Sequence, residues 1–157
     1  MIRPARKSDT EAIRAISAQV FAQFGDYGTF LPRYLDDAWV ETAVDEEAGC
    51  IRGFIMLALA PSRRPRSGPI ADMLAIAVAP GQQNQGLGAA LLTHAVALAS
   101  RLREQYDVRE IELSVADTNV AAQRFFRRHG FRVVDATEGR YPAGQTAMRM
   151  ARTIDPG

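Results

Sequence analysis

The stretch VAPGQQNQGLGAALL, Val78 to Leu92, passes from an apolar strand-like run to a helix-like one through a polar turn with three glycines. Gly86 and Gly88 stand one residue apart where the helical run begins, a placement that lets backbone come close to a ligand. The turn carries no lysine, arginine or acid. It needs none to hold a phosphate: the first turn of a helix leaves its backbone N–H groups unpaired and concentrates about half a positive charge there. Just upstream, Asp72 is the only ionisable residue in the run IADMLAIAV. A carboxylate isolated in an apolar strand is the natural candidate for accepting a proton.

Several devices place glycines between a strand and a helix. A Walker-type loop requires Gly-Lys followed by Ser or Thr, whereas Gly88 is followed by Ala89 and Ala90. A dinucleotide fingerprint requires a third glycine, where this chain has Leu91, and a first glycine directly after the strand, where Pro80 to Gln85 intervene. Glu110 and Glu112 do follow at roughly twenty residues, which keeps that reading in play. A loop that uses glycine only to turn is a further alternative, and an acyl-CoA loop is the last.

The elements that must carry these residues are legible in outline. With 157 residues, 47% of them hydrophobic, the chain suits one domain spanning 1–157. Ser8 followed by Glu11 has capping-box spacing ahead of a helix with Ala12, Ile13, Ile16 and Val20 on one face. GDYGTFLPRYLDDAW is rich in aromatics and turn formers and predicts a short helix around Tyr34 to Trp39. ETAVDEE and CIRGFIMLALA predict a hairpin, closed by EEAG. PSRRPRSGP then reads as a loop tip whose arginines are solvated. From Ile70 a strand, a helix from Gly86 to about Gln105, the strand VREIELSVAD and the helix NVAAQRFFRRHGF imply a parallel pair with a right-handed crossover. Two strands follow, around Phe131 to Asp135 and Thr146 to Ala151. The class is α/β.

Composition narrows the function. Nineteen basic against 18 acidic residues give a net charge of +1, too little to draw the protein onto nucleic acid or an anionic membrane. The lone Cys50 excludes an internal disulfide framework and reads as a small core residue in a reducing compartment. No signal-type or membrane-length apolar run is present, so a soluble, cytoplasmic protein is expected. His94 and His129 lack partners at metal-ligand spacing, so no metal is assigned.

Q83-N-Q-G-L-G88, preceded by Val-x-Pro and followed by Leu-Leu, resembles the Gln/Arg-x-x-Gly-x-Gly/Ala motif of the GNAT superfamily of acetyl-CoA-dependent N-acetyltransferases. NVAAQRFFRRHGF, from Asn119, resembles that family's Asn-x-x-Ala…Gly-Phe helix, and IRPARKSDTEAI resembles its amino terminus. The resemblance spans the chain and implies a mixed, splayed sheet of six or seven strands flanked by about four helices. It implies acetyl transfer from acetyl-CoA to a primary amine of a small molecule or peptide N-terminus, by direct attack. A non-catalytic acyl-CoA-binding domain with the same fold is the alternative, and a homodimer is compatible with either. Carried over by position, the backbone of Ile76, Ala77 and Val78 holds the pantetheine arm. Gln83, Asn84, Gln85, Gly86, Leu87, Gly88 and Ala89 form the pyrophosphate cradle, Asn119 meets the cofactor arm, and Phe126 borders the cofactor. Arg124 or Arg127 is placed to reach the ribose phosphate.

Acetylation of an amine requires a base for the amine and a proton for the departing thiolate. The histone-acetyltransferase branch places its base six residues before the Val of Val-x-Pro, which is Asp72 here. Amino-terminal acetyltransferases place it five residues before the asparagine, which is Ser114; Glu112, two residues earlier on the same strand face, ranks second to Asp72. The family's acid, a tyrosine seven residues after the asparagine, is replaced by Phe126, which leaves water or Tyr141 as the proton source. Relatives line the acceptor pocket with the segment after the first helix, which assigns Asp26, Tyr27, Phe30 and Tyr34 to the substrate. Deprotonation at pH 7 costs about 1.4 kcal/mol for an α-amine and nearly 5 for a lysine, so an unassigned base favours a lower-pKa amine.

Overall fold

The computed structural model describes residues 1–64 and 68–155. Seven strands form one sheet: β1 Ile2–Pro4, β2 Val40–Glu47, β3 Cys50–Pro61, β4 Pro69–Val78, β5 Glu110–Ala116, β6 Arg132–Arg140 and β7 Thr146–Thr153. Their order is β1-β2-β3-β4-β5-β7-β6, with β4–β5 the one parallel pair. Four α-helices accompany them: α1 Thr10–Val20, α2 Tyr27–Phe30, α3 Leu87–Tyr106 and α4 Val120–Arg128. Seven strands and four helices match the architecture that the sequence implies.

The hydrophobic pattern explains the layers. FIMLALA in β3 is apolar throughout because the strand lies inside the sheet and is covered on both faces. One core joins α3, through Leu91, Leu92, Ala95, Leu98 and Ala99, to Met73, Ile111, Leu113 and Met150. The other joins α1, through Ile13 and Ile16, to Val44, Phe54, Met56, Ala75 and Ala77.

β4 changes faces between these cores. Met56 pairs with Ala75 and Leu57 with Met73, so Leu74 is an extra residue and the strand carries a bulge there. Ala71 and Met73 therefore pack with α3, whereas Ala75 and Ala77 pack with α1. On its other edge β4 pairs with β5 through Ala71–Ile111, Asp72–Glu112 and Met73–Leu113. Beyond those three pairs the strands part.

Several local expectations are corrected. The capping box before α1 uses Asp9 rather than Ser8 and Glu11: a 3₁₀ turn over Lys7–Asp9 precedes the helix, and Asp9 Oδ2 accepts the Arg6 N–H at 2.7 Å. Asp9 is 5% exposed, and Arg3 donates to both of its oxygens, at 2.8 and 2.9 Å. The second helix is Tyr27–Phe30, continued as a 3₁₀ turn over Leu31–Asp36, because Pro32 suits a helix start and not a helix middle. The β2–β3 hairpin turns at Ala48 and Gly49, with φ of 50° and 78°, and Cys50 at its exit is exposed, not a core residue. The last two strands run longer than predicted. No described helix is long and apolar enough to cross a membrane.

Gly53 stands where β3 is crowded by both β4 and α3. A Cβ there would stand 2.7 Å from the Ala77 carbonyl oxygen and 3.1 Å from Leu91 Cδ1. Gly53→Ala should destabilise the protein by about 1–3 kcal/mol, because backbone has to move to admit the methyl; urea denaturation checks it. The Arg3 guanidinium holds the Asp9 carboxyl below its usual range, so its contribution is present above the unfolded aspartate pKa and is lost as pH falls through the depressed one. Asp9→Asn should lower the melting temperature at pH 7, with the gap to wild type closing in acid.

Candidate active site

The parting of β4 and β5 opens a cleft in the sheet. Past Met73 the edge of β4 that faced β5 has, among the described residues, no strand beside it, so its backbone groups have no ladder partner there. Near the root of the cleft, one pair before the last, stand two carboxylates, Asp72 and Glu112, 8% and 0% exposed. β7 brings Arg149, 3% exposed, across β5 to meet them. Arg149 Nη2 donates to Asp72 Oδ1 at 3.0 Å, Nε to Glu112 Oε1 at 3.2 Å and Nη1 to Ser114 Oγ at 3.0 Å.

The connection after β3 completes the network. Arg64 Nη2 donates to Glu112 Oε2 at 3.4 Å and also to Glu110, while Arg132 Nη2 donates to Glu110 Oε2 at 3.2 Å. Asp72, Arg149, Glu112, Arg64, Glu110 and Arg132 thus alternate in charge from cleft to surface. Arg63 pairs with Glu138 of β6. These two arginines are not simply solvated, as the sequence suggested; Arg66 of the same loop lies outside the described residues.

Both oxygens of Glu112 are engaged by arginines, whereas among the described residues Asp72 Oδ2 has no partner. Burial pushes the Asp72 carboxyl above its usual range, outweighing the attraction of Arg149 and Arg63. Burial also pushes the Tyr141 phenol up to about 12, with Tyr27 and Glu138 adding to it and Arg149 opposing. At neutral pH that phenol keeps its proton and is a donor.

The glycine turn lies beyond the carboxyl end of β4. Gly86, φ 79°, starts α3 with no side chain capping the helix, and a Cβ on it would meet nothing within 4 Å. Asn84 is also left-handed, at φ 63°, and Gln83 Nε2 donates to the Val78 carbonyl at 3.2 Å. The start of α3 is therefore uncapped and open where a Gly86 side chain would stand, as a phosphate cradle requires. Gly88 differs: its Cβ position lies 3.5 Å from the Phe125 ring, ordinary contact that an alanine fits.

On α4, Asn119 is the N-cap, its Oδ1 accepting the Ala122 N–H at 3.2 Å. Phe126 is 6% exposed and packs in the core against Phe131, ring centres 5.6 Å apart. Its neighbour Phe125 is the aromatic that faces Gly88. Arg124 and Arg127 are exposed.

Across the sheet, Tyr27, Phe30, Leu31, Arg33, Tyr34 and Asp37 line a groove of about 610 Å³ together with Leu74, the bulge residue of β4. Three of the four residues assigned to the substrate meet there. Asp26 is exposed at the start of α2 and lies outside that lining. Tyr141 packs on Phe24 and Tyr27, ring centres 5.3 and 6.3 Å apart. The β6–β7 turn is tied to the end of α1, Ala143 N–H donating to the Phe24 carbonyl at 3.1 Å. A second cavity, of about 490 Å³, lies at the far end of α4 among Arg128, His129 and Arg152 and contains none of these residues. Among the described residues no cluster of three or more His, Cys, Asp or Glu is arranged to hold a metal.

Arg149, Arg64, Phe125 and Leu74 were missed by sequence reasoning. Only Arg149 carried a usable signal, a charge between Met148 and Met150 in a strand-like run, the same pattern that singled out Asp72.

Comparisons with known proteins agree with this geometry. The chain is 30% identical over 131 residues to the mycothiol acetyltransferase of Thermobispora bispora, a match covering 78% of this chain and 43% of that relative. The chain thus spans less than half the length of that curated relative. The Salmonella typhimurium protein yncA, solved with its cofactor acetyl-CoA, superposes with a TM-score of 0.75 at 20% identity, covering 99% of this chain and 94% of the other. A ribosomal-protein-alanine N-acetyltransferase from Brucella melitensis gives 0.72 at 20% identity, covering 98% and 99%. These two likenesses establish the fold. A family model matches residues 10–131, and with it the chain belongs to the acetyltransferase (GNAT) family.

Proposed function

We propose that residues 1–157 form one N-acetyltransferase domain that moves an acetyl group from acetyl-CoA to a primary amine, by direct attack of the amine. The observation that carries this reading is a buried carboxylate, Asp72, with one oxygen unpaired among the described residues, at the root of a cleft whose other end is an uncapped helix start at Gly86. Bound there, acetyl-CoA supplies the thioester. The backbone of Ile76, Ala77 and Val78 lines its arm, and the turn from Gln83 to Ala89 receives its pyrophosphate. Asn119 lies at the arm, and Phe125, backed by Phe126, closes the wall on the α4 side.

Asp72 takes the amine proton at Oδ2. Glu112, with both oxygens held, serves as a counter-ion rather than as the base. Tyr141 holds a proton at its phenol oxygen for the departing sulfur, and a thiol pKa near 8.5 keeps that demand small. Tyr27, Phe30 and Tyr34 pack on the acceptor. The relatives named above, a mycothiol acetyltransferase and a ribosomal-protein-alanine N-acetyltransferase, bracket the proposed acceptors, from small molecules to peptide N-termini. Stabilisation by CoA without thiol release from acetyl-CoA with any amine in a broad panel would favour the non-catalytic reading instead.

With the Asp72 carboxyl raised, the low-pH limb of kcat/KM should fall above the ordinary aspartate range, since the base works only when ionised. Asp72→Asn should slow turnover by about 10²–10⁴-fold and flatten that limb; an unchanged pH profile removes Asp72 from the mechanism. The two glycines should separate in CoA titrations followed by calorimetry. Gly86→Val should abolish binding, because its side chain would fill the open cradle, while Gly88→Ala should retain binding and gain helix stability of up to about 1 kcal/mol. Equal losses in both would count against the cradle.

A further inference from the structure

We propose that Arg149 is the positioning residue of the proton transfer: its guanidinium grips Asp72 by one oxygen only, turning the other towards the acceptor amine. This rests on the assignment of Asp72 as base and adds the residue that prepares it. An arginine paired with a single carboxylate commonly takes both oxygens in a parallel fork. Here the fork is divided. Nη2 goes to Asp72 Oδ1, Nε to Glu112 Oε1 and Nη1 to Ser114 Oγ, so three acceptors on two strands fix the guanidinium plane. Because Glu112 occupies Nε and Ser114 occupies Nη1, Asp72 receives one N–H from Arg149, and among the described residues Oδ2 has no partner.

Arg149 also offsets the repulsion between two neighbouring acids. Asp72 and Glu112 are direct partners in the β4–β5 ladder, both buried, and without a cation between them one would hold a proton at neutral pH. The groups around Asp72 come from four directions: Arg149 on β7, Glu112 on β5, Arg63 after β3, and Glu138 of β6 acting through Arg63. Arg64 neutralises the far side of Glu112. Among the described residues Arg149 is the cation in hydrogen-bond contact with both acids, and neither Arg63 nor Arg64 bridges them. A lysine would keep the charge but lose the planar fork.

The test uses the full chain as wild type, Arg149→Lys and the double variant Arg149→Met/Glu112→Gln, which removes one charge of each sign and so spares the fold an unpaired buried carboxylate at Glu112. The Asp72 carboxyl is titrated by carbon NMR, and kcat and KM are measured across pH. Arg149→Lys should lower kcat about tenfold or more while KM for acetyl-CoA stays within about twofold, the signature of lost orientation. The double variant should raise the Asp72 midpoint by about one pH unit or more and move the acidic limb of kcat/KM with it. A folded double variant with the wild-type midpoint, or Arg149→Lys with kcat within about twofold of wild type, overturns the proposal. Should the double variant not fold, the Arg149→Lys rates decide. Should wild type acetylate no amine, the enzymatic reading fails, and the NMR midpoint still decides whether Arg149 governs Asp72.

Discussion

The short parallel contact between β4 and β5 is the constraint on which the site depends. Parallel strands in a closed α/β sheet usually stay paired, because an unpaired buried N–H or C=O costs about as much as a lost hydrogen bond. Here β5 is held along its whole length by β7, from Glu110–Thr153 to Ala116–Ala147, and β4 is held by β3. Each strand is therefore secured on its outer edge. The bulge at Leu74 turns β4 just where its contact with β5 ends, so the gap opens without loosening either half of the sheet. The backbone groups exposed in the gap are what an extended ligand can pair with, in the manner of an added strand.

The same contact fixes where the charges go. Asp72 and Glu112 occupy the middle rung of the three, so the cleft begins at the ion cluster and not at some distance from it. Buried ion pairs are poor evidence for stability, since desolvation can exceed the Coulombic gain. The cluster of Asp72, Arg149, Glu112 and Arg64 is therefore not accounted for by stability alone. Its neutrality lets two acids lie below the surface, and among the described residues one oxygen of Asp72 is left unpaired.

What was legible in the sequence was local. The glycine turn, the long third helix, the Asn119 cap and the hairpin at Ala48 and Gly49 are all set by neighbours within a few residues, and Asp72 stood out because its own strand is otherwise apolar. What escaped needed strand order. Arg149 faces Ser114 only because β7 inserts between β5 and β6, and no pattern inside TAMRMAR specifies that insertion. Arg63 and Arg64 looked like solvated charges because their partners, Glu138, Glu110 and Glu112, lie more than forty residues away. Asp9 displaced Ser8 as the capping residue for a more local reason: Arg3, on β1, pairs with both of its oxygens. Family position favoured Phe126 for the cofactor wall, but packing sends that ring into the core and leaves Phe125 facing α3.

The two sides of the cleft are also built from different materials. The turn at Gly86 and the free edge of β4 present backbone, whose chemistry is the same in any residue and whose shape depends on φ angles and on the absence of side chains. The groove at Leu74 presents Tyr27, Phe30, Arg33 and Tyr34, drawn from a short helix and a 3₁₀ turn that contribute little to the sheet. Changes of side chain in Tyr27–Asp36 therefore alter the groove without touching the backbone turn. Tyr141 is the exception, since it packs on Phe24 and Tyr27 while sharing the field of Arg149. A change in the groove that displaces Tyr27 therefore also disturbs the packing of Tyr141.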